Sequence, residues 1–199
     1  MEEKTAEKSK ETSGSTTNRM TKKYILTGGP GSGKSSILLE LERRGEYIIR
    51  EAAEDTIKLE QAKGNEKPWE DADFQRKILR LQIQREESIP KEVGRAFIDR
   101  GIADGLAYTK KETELYREIE KEIRTYAGVF LIKNLGSTET NRVRREDQTA
   151  ALEIERKLGQ LYQTLEYRVQ RIAPAPVEER AQKILNIIKR NAPFRRSWR

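Results

Sequence analysis

Gly28-Gly29-Pro30-Gly31-Ser32-Gly33-Lys34-Ser35 has the spacing G-x-x-x-x-G-K-[ST]. The chemistry of that spacing is anion capture. Glycines let successive backbone N–H groups close around a phosphate, and the helix that follows adds the positive end of its dipole. Lys34 is placed to reach the β- and γ-phosphates of a nucleotide, and Ser35 to hold Mg²⁺. Gly28, Gly29, Pro30, Gly31, Ser32, Gly33, Lys34, Ser35 and Ser36 form the expected nucleotide-binding set. A carboxylate is needed beside it. Ala96-Phe97-Ile98 leads into Asp99, an apolar strand ending in an acid, and such an acid meets Mg²⁺ or takes a substrate proton. The alternative is an aspartate that serves its own turn. Asp104 has two readings, a ligand for a ribose hydroxyl or a cap for the next helix. Arg142, Arg144 and Arg145 crowd into four positions and suit a lid that neutralises a transferring phosphoryl group, or else a solvated basic helix end.

These residues need elements to carry them. Lys23–Thr27 reads as a strand, followed by the glycine loop and a helix ending near Gly45. Tyr47-Ile48-Ile49 is a second strand, which ends at the acidic cluster Glu51, Glu54 and Asp55. A helix follows to about Lys63. A longer one starts at Trp69 or Glu70 and runs to about Ser88, with Phe74, Ile78, Leu81 and Arg85 on one face. Thr109-Lys110-Lys111-Glu112 has the form of a capping box ahead of Leu115, Ile119 and Ile123. Ala127–Ile132 is the most apolar strand, Gly136–Asp147 is the lid, and Ile154, Leu158, Leu161, Tyr162 and Leu165 stripe a helix. Tyr167–Ile172 makes a fifth strand. Pro174 and Pro176 precede a last helix carrying Val177, Ala181, Ile184, Leu185 and Ile188. The expected fold is α/β: a P-loop NTPase, a three-layer sandwich on a parallel sheet of about five strands, kinase-like with a lid.

Composition narrows the chemistry further. The chain has 199 residues, enough for one domain, expected over 21–190. With no histidine, a general base must be Asp, Glu, Lys or a water they position. With no cysteine, disulfides and thiolate metal sites are excluded. Apolar runs stop at about six residues, far short of the roughly 18 of a membrane span, and the N-terminus is polar, so a soluble cytoplasmic protein is expected. Residues 1–20 read as a disordered polar tail. The net charge is +7, and six basic residues stand between Lys183 and Arg199 with no acidic one. The end, 191–199, is a basic tail whose Phe194 and Trp198 allow contact with nucleic acid or anionic lipid; a solubilising frayed end is the plainer reading.

Taken in order, GGPGSGKSS, REAAEDTI, FQRKILRLQIQREE, FIDRGIADGLAY, RVRREDQ and PVEERAQKIL resemble the small AAA-type P-loop domain family. That family includes the kinase half of NadR-like proteins, which phosphorylates nicotinamide riboside. The resemblance runs from about residue 22 to 188. It implies nucleotide binding and places Glu51 as the base toward an acceptor hydroxyl; the plainer role is a carboxylate at a helix N-terminus. It places Arg100 on the acceptor or a phosphate, where a solvated salt bridge is the alternative. Phe74 and Gln75 match a pair that stacks on and hydrogen-bonds a base in deoxynucleoside kinases, although Phe74 also continues an apolar stripe. By the pattern of this fold, the loop Ala173–Val177 passes beside the nucleotide base. The expected ligands are ATP, with GTP left open, Mg²⁺ and a small-molecule acceptor. The lack of an N-K-x-D signature favours ATP. Three readings stand: an ATP-dependent small-molecule kinase, a nucleotide-switched binding protein whose lid or tail recruits a partner, and a plain NTPase in which Glu51 orients water.

Overall fold

Along the first strand the side chains alternate between two apolar layers, which is how a sheet covered on both faces reads. Tyr24 and Leu26 pack on one side with Ile37, Leu38 and Leu41, and with Ala181, Ile184 and Leu185. Ile25 packs on the other with Ile49, Ile98, Val129, Tyr126, Tyr162 and Tyr167. Ile25, Ile37 and Ile98 are wholly buried, and each such side chain contributes about 1.5–3 kcal/mol. The computed structural model describes residues 20–136 and 143–190. It shows five parallel strands in the order β2-β3-β1-β4-β5: β1 (Lys22–Thr27), β2 (Tyr47–Ile49), β3 (Arg95–Asp99), β4 (Gly128–Ile132) and β5 (Gln170–Ile172). Six α-helices join them among the described residues. These are α1 (Lys34–Arg43), α2 (Ala52–Ala62), α3 (Phe74–Glu87), α4 (Glu114–Glu122), α5 (Val143–Thr164) and α6 (Val177–Lys189).

Helices α1 and α6 cover one face of the sheet, and α5 with the segment after β3 covers the other. A third apolar cluster, Leu79, Ile102, Leu106 and Ile119, joins α3 and α4 to the 3-10 turn Ile102–Ala107. This order sends the chain to opposite sides of β1, so the C-terminal ends of β1 and β3 open a crevice where α/β sheets hold ligands. Leu26 pairs with Asp99 in that register, which sets the start of the glycine loop beside the acid.

Several boundaries differ from expectation. The long helix begins at Phe74, because Pro68–Glu70 closes a separate 3-10 turn and Asp71 then turns to an extended backbone. Its buried residues are Phe74, Leu79, Gln82 and Glu86, so the stripe lies one residue round from the expected Ile78, Leu81 and Arg85. The fourth helix is capped by Thr113, whose hydroxyl accepts from Tyr116 N–H; the hydroxyl of Thr109 instead donates to Gly105 O. The fifth strand starts at Gln170: Glu166 takes a left-handed φ of 65°, and Tyr167 turns into the core. The expected lid Gly136–Asp147 is interrupted, since Val143–Asp147 already belongs to α5 and 137–142 lie outside the described residues. The expected tails, apart from Met20, also lie outside them. No helix among the described residues is long and apolar enough to cross a membrane.

Candidate active site

Between β1 and α1 the glycine loop turns the chain through Gly33, at φ 82°, and α1 starts there with no side-chain cap. Its first backbone N–H groups are therefore open to an anion. Lys34 is buried, and its ammonium donates to Gly28 O at 3.2 Å and Gly29 O at 3.1 Å. Burial, and then the charge of Arg100, lower its pKa, while Asp99, Glu51 and Asp104 pull the other way.

Ser35 Oγ donates to Asp99 Oδ2 at 3.0 Å. Asp99 is 1% exposed, and its Oδ1 is buried with no hydrogen-bond partner. Burial first raises its carboxyl to a pKa of about 6, with Glu51 adding to the rise and Lys34 opposing it. An orphaned carboxylate oxygen beside a serine hydroxyl, at the mouth of a phosphate loop, fits the protein side of a Mg²⁺ site. Mg²⁺ takes one or two protein oxygens and completes its shell with phosphate and water. Among the described residues no cluster of three or more acidic side chains offers an all-protein cage.

Immediately after Asp99, Arg100 adopts φ 67°, a left-handed conformation rare outside glycine. Three hydrogen bonds hold it: Arg100 N–H to Leu26 O at 3.0 Å, Gln82 Nε2 to Arg100 O at 3.2 Å, and Gly101 N–H to Asp104 Oδ1 at 3.3 Å. The turn throws the guanidinium across to Glu51, Nε to Oε1 at 2.8 Å. A second nitrogen donates to Tyr108 OH at 3.0 Å, and the group lies 5.7 Å from that ring centre. Glu51 stands at the N-cap of α2 but makes no capping hydrogen bond; Glu54 and Asp55 occupy the first turn. Its main chain is fixed from α3, where Arg85 donates to Arg50 O at 2.9 Å, Glu51 O at 3.2 Å and Asp55 Oδ2 at 2.6 Å.

Asp104 is 2% exposed. It accepts from Thr27 Oγ1 and from Tyr162 OH, each at 2.6 Å. It thus braces its own 3-10 turn rather than capping the next helix, one of its two expected readings, and it ties β1 to α5. Burial raises its pKa, with Arg100 the leading opposing charge.

A single cleft of about 760 Å³ joins these groups. One end is the loop, Pro30 to Ser36. The other is walled by α2 (Ala52, Ala53, Ile57), α3 (Phe74, Gln75, Ile78) and, across from them, Ile102, Tyr108 and Ile119. Phe74 is both wall and core, at 6% exposure, and Gln75 is half-buried. Glu51, Arg100 and Asp104 also line it. Of the lid arginines, Arg142 lies outside the described residues, and Arg144 and Arg145 fall on the first turn of α5. The loop Ala173–Val177 leads into α6, whose Arg180 donates to Ser32 O at 2.9 Å. Sequence reasoning gave no role to Tyr108, Gln82, Arg85, Tyr162 or Arg180. For Arg180 a signal existed: it is a charge on the apolar stripe of Val177, Ala181 and Ile184.

Solved structures similar to this chain include a NadR protein in complex with NAD and AMP-PNP. Its TM-score is 0.60 at 15% identity, over 90% of this chain and 52% of that one. Thymidylate kinase from Candida albicans matches with a TM-score of 0.56 at 12% identity, over 86% and 92% of the two chains. Deoxyadenosine kinase from M. mycoides, with dCMP and dCDP bound, gives 0.55 at 18%, over 84% and 99%. The chain spans about half the length of the NadR protein. At such identities the likeness shows the fold, that of P-loop kinases. No curated protein matches this sequence. The sequence profile of the AAA domain matches residues 23–180, most of the chain and the whole of the cleft's framework, and the protein belongs to that AAA domain family.

Proposed function

We propose that the protein is a Mg²⁺-dependent phosphotransferase that moves the γ-phosphoryl group of ATP to a hydroxyl of a small, nucleoside-like metabolite. The observation that carries this is the continuity of the cleft. Its lining combines the phosphate loop, Ser35 (bonded to the buried Asp99), the ion-paired Glu51 and Arg100, and a set of apolar side chains. In this reading the loop N–H groups and Lys34 hold the β- and γ-phosphates. Ser35 and Asp99 hold Mg²⁺, which supplies charge neutralisation on the phosphates. Glu51 accepts the proton of the attacking hydroxyl, and Arg100 fixes that carboxylate through Nε. Arg142, Arg144 and Arg145 close over the transferring group.

The chamber also bears on the acceptor. Among the described residues, Lys34 and Arg100 are the cations in its lining, and Arg100 is already shared between Glu51 and Tyr108. An acceptor phosphate would need a further cation; a neutral ring suits Ile57, Phe74, Ile78 and Ile119. On the described residues, the lining therefore suits a nucleoside better than a nucleoside monophosphate. A switch protein that only binds and hydrolyses a nucleotide has no use for this apolar chamber.

The test is ATP turnover against a panel of nucleosides and their 5′-monophosphates, with Lys34→Ala as control. One or more nucleosides should raise turnover at least tenfold over the monophosphates and over water, and Lys34→Ala should bind no ATP. Tight ATP binding with turnover unmoved by every metabolite would sink the kinase reading. Normal ATP binding by Lys34→Ala would sink the site itself.

A further inference from the structure

Buried cations in proteins are normally matched by a carboxylate, because an unpaired charge taken out of water is costly. Among the described residues, Arg180 has no such match. It is 4% exposed, yet its guanidinium makes one hydrogen bond, to the carbonyl oxygen of Ser32. Its Nε is buried without a partner. Burial lowers its pKa, and no carboxylate among the described residues opposes that. Glu178 and Glu179, on the same turn of α6, are both exposed. Carboxylates were thus at hand in the sequence and were left to water. The neighbouring Arg44 shows the ordinary arrangement, bonded to Glu40 at 2.7 Å.

The place of Arg180 supplies a reason. The group lies against the outer side of the phosphate loop at its last glycine. A Cβ on Gly33 would stand 3.0 Å from one terminal nitrogen and 3.1 Å from the other. Gly33 takes φ 82°, so substitution there is strained as well as crowded. The guanidinium thus lies in contact with the backbone of the loop, at Ser32 O and beside Gly33. Held out of water at that range, the charge acts on the loop weakly screened.

We propose that Arg180 is a nucleotide-binding charge: a cation held behind the loop, without an acid among the described residues, so that the polyphosphate enclosed by the loop becomes its counter-ion. This rests on the reading that the loop binds a nucleoside triphosphate. Arg180 touches no substrate. It acts through the loop, by its charge and by fixing the Ser32 carbonyl. Its cost falls on the free protein and its benefit on the complex, which separates it from a packing residue.

The experiment compares the full chain with Arg180→Met and Arg180→Lys. Thermal unfolding without ligand is paired with calorimetric titration of ATP, inorganic tripolyphosphate and adenosine. Removing the charge should leave the melting temperature unchanged or higher. It should weaken ATP and tripolyphosphate about tenfold and leave adenosine unaffected. Arg180→Lys should keep ATP affinity within about threefold, because it keeps the charge. The inference is overturned if Arg180→Met binds ATP like the wild type. It is equally overturned if Arg180→Met loses stability and Arg180→Lys regains that stability without the affinity. A wild-type chain that binds neither ATP nor tripolyphosphate sinks the nucleotide reading itself, and is told apart from failure at Arg180 by that control.

Discussion

Two demands meet at Asp99. The β1–β3 register needs a side chain there that survives burial, while a metal site needs an ionised oxygen. On the reading proposed above, the second demand is met at the expense of the first. Burial lifts the carboxyl from an ordinary 3.8 to about 6. A shift of that size corresponds to about 3 kcal/mol. Its sign follows from which state holds the proton more tightly. Near pH 4 and below, Asp99 is protonated in the native state and increasingly so in the unfolded chain, so it costs little. As pH rises towards about 6 the unfolded chain ionises first, and the native state loses stability; above that the full penalty applies. Asp99→Asn keeps an acceptor for Ser35 and removes the charge. In buffer with chelator and no nucleotide, it should raise unfolding free energy by about 2–3 kcal/mol at pH 8, with the gain shrinking as pH approaches 4.5. Turnover should be lost at every pH. Chemical denaturation at the two pH values checks this, and an equal effect at both would show that Asp99 is not held ionised against its burial.

Helix α3 is the element whose function was hardest to read in the sequence. Its apolar residues have helical spacing, which gave the helix but placed its buried face on Ile78 and Leu81. The face actually buried carries Gln82 and Glu86, which bond each other and also reach remote partners: Arg100 O for Gln82, and Lys23 and Tyr126 OH for Glu86. Polar residues in a helical pattern read as solvent-facing unless their partners are known, and here those partners stand on β1, after β3 and before β4. The glycine loop, by contrast, was legible because its chemistry is carried by consecutive residues between a strand and a helix. Arg85 shows what α3 adds. Strand β2 is three residues long and lies at the sheet edge, so its end, which carries Glu51, is tied down by the Arg85 fork. Arg85→Met should lower phosphoryl transfer to the acceptor about tenfold while leaving ATP affinity unchanged. Arg85→Lys should recover only part, since one ammonium cannot reproduce a bidentate fork. Steady-state kinetics beside ATP titration reads the split; an equal fall in ATP affinity would mean that Arg85 supports the domain at large rather than Glu51.

Across the whole molecule, one helix spans both halves of the site. Near its start α5 presses on the glycine loop, where a Cβ on Gly29 would come within 2.3 Å of Ala151 O. Further along, Tyr162 reaches Asp104, which holds Thr27 at the end of β1. The loop and the 3-10 turn Ile102–Ala107 are therefore both gauged against one helix. The sequence showed the stripe of α5 but not this contact, because a close approach of two backbones leaves only a glycine as its trace, in a motif already rich in them. Gly31 provides the comparison. It has φ 70° but nothing within 4 Å of where its Cβ would be. Gly31→Ala should therefore cost only a left-handed conformation, about 1–2 kcal/mol, with ATP affinity reduced by at most a few fold. Gly29→Ala meets main chain that no rotamer change can move, so the loop and α5 must part. It should reduce ATP affinity at least tenfold and lower the melting temperature by several degrees more than Gly31→Ala. Tyr162 should become more accessible as α5 lifts, which hydrogen exchange at the amides of 158–164 would report. If Gly29→Ala behaved like Gly31→Ala in all three measurements, α5 would be a cover for the sheet and not the gauge that sets the two ends of the cleft.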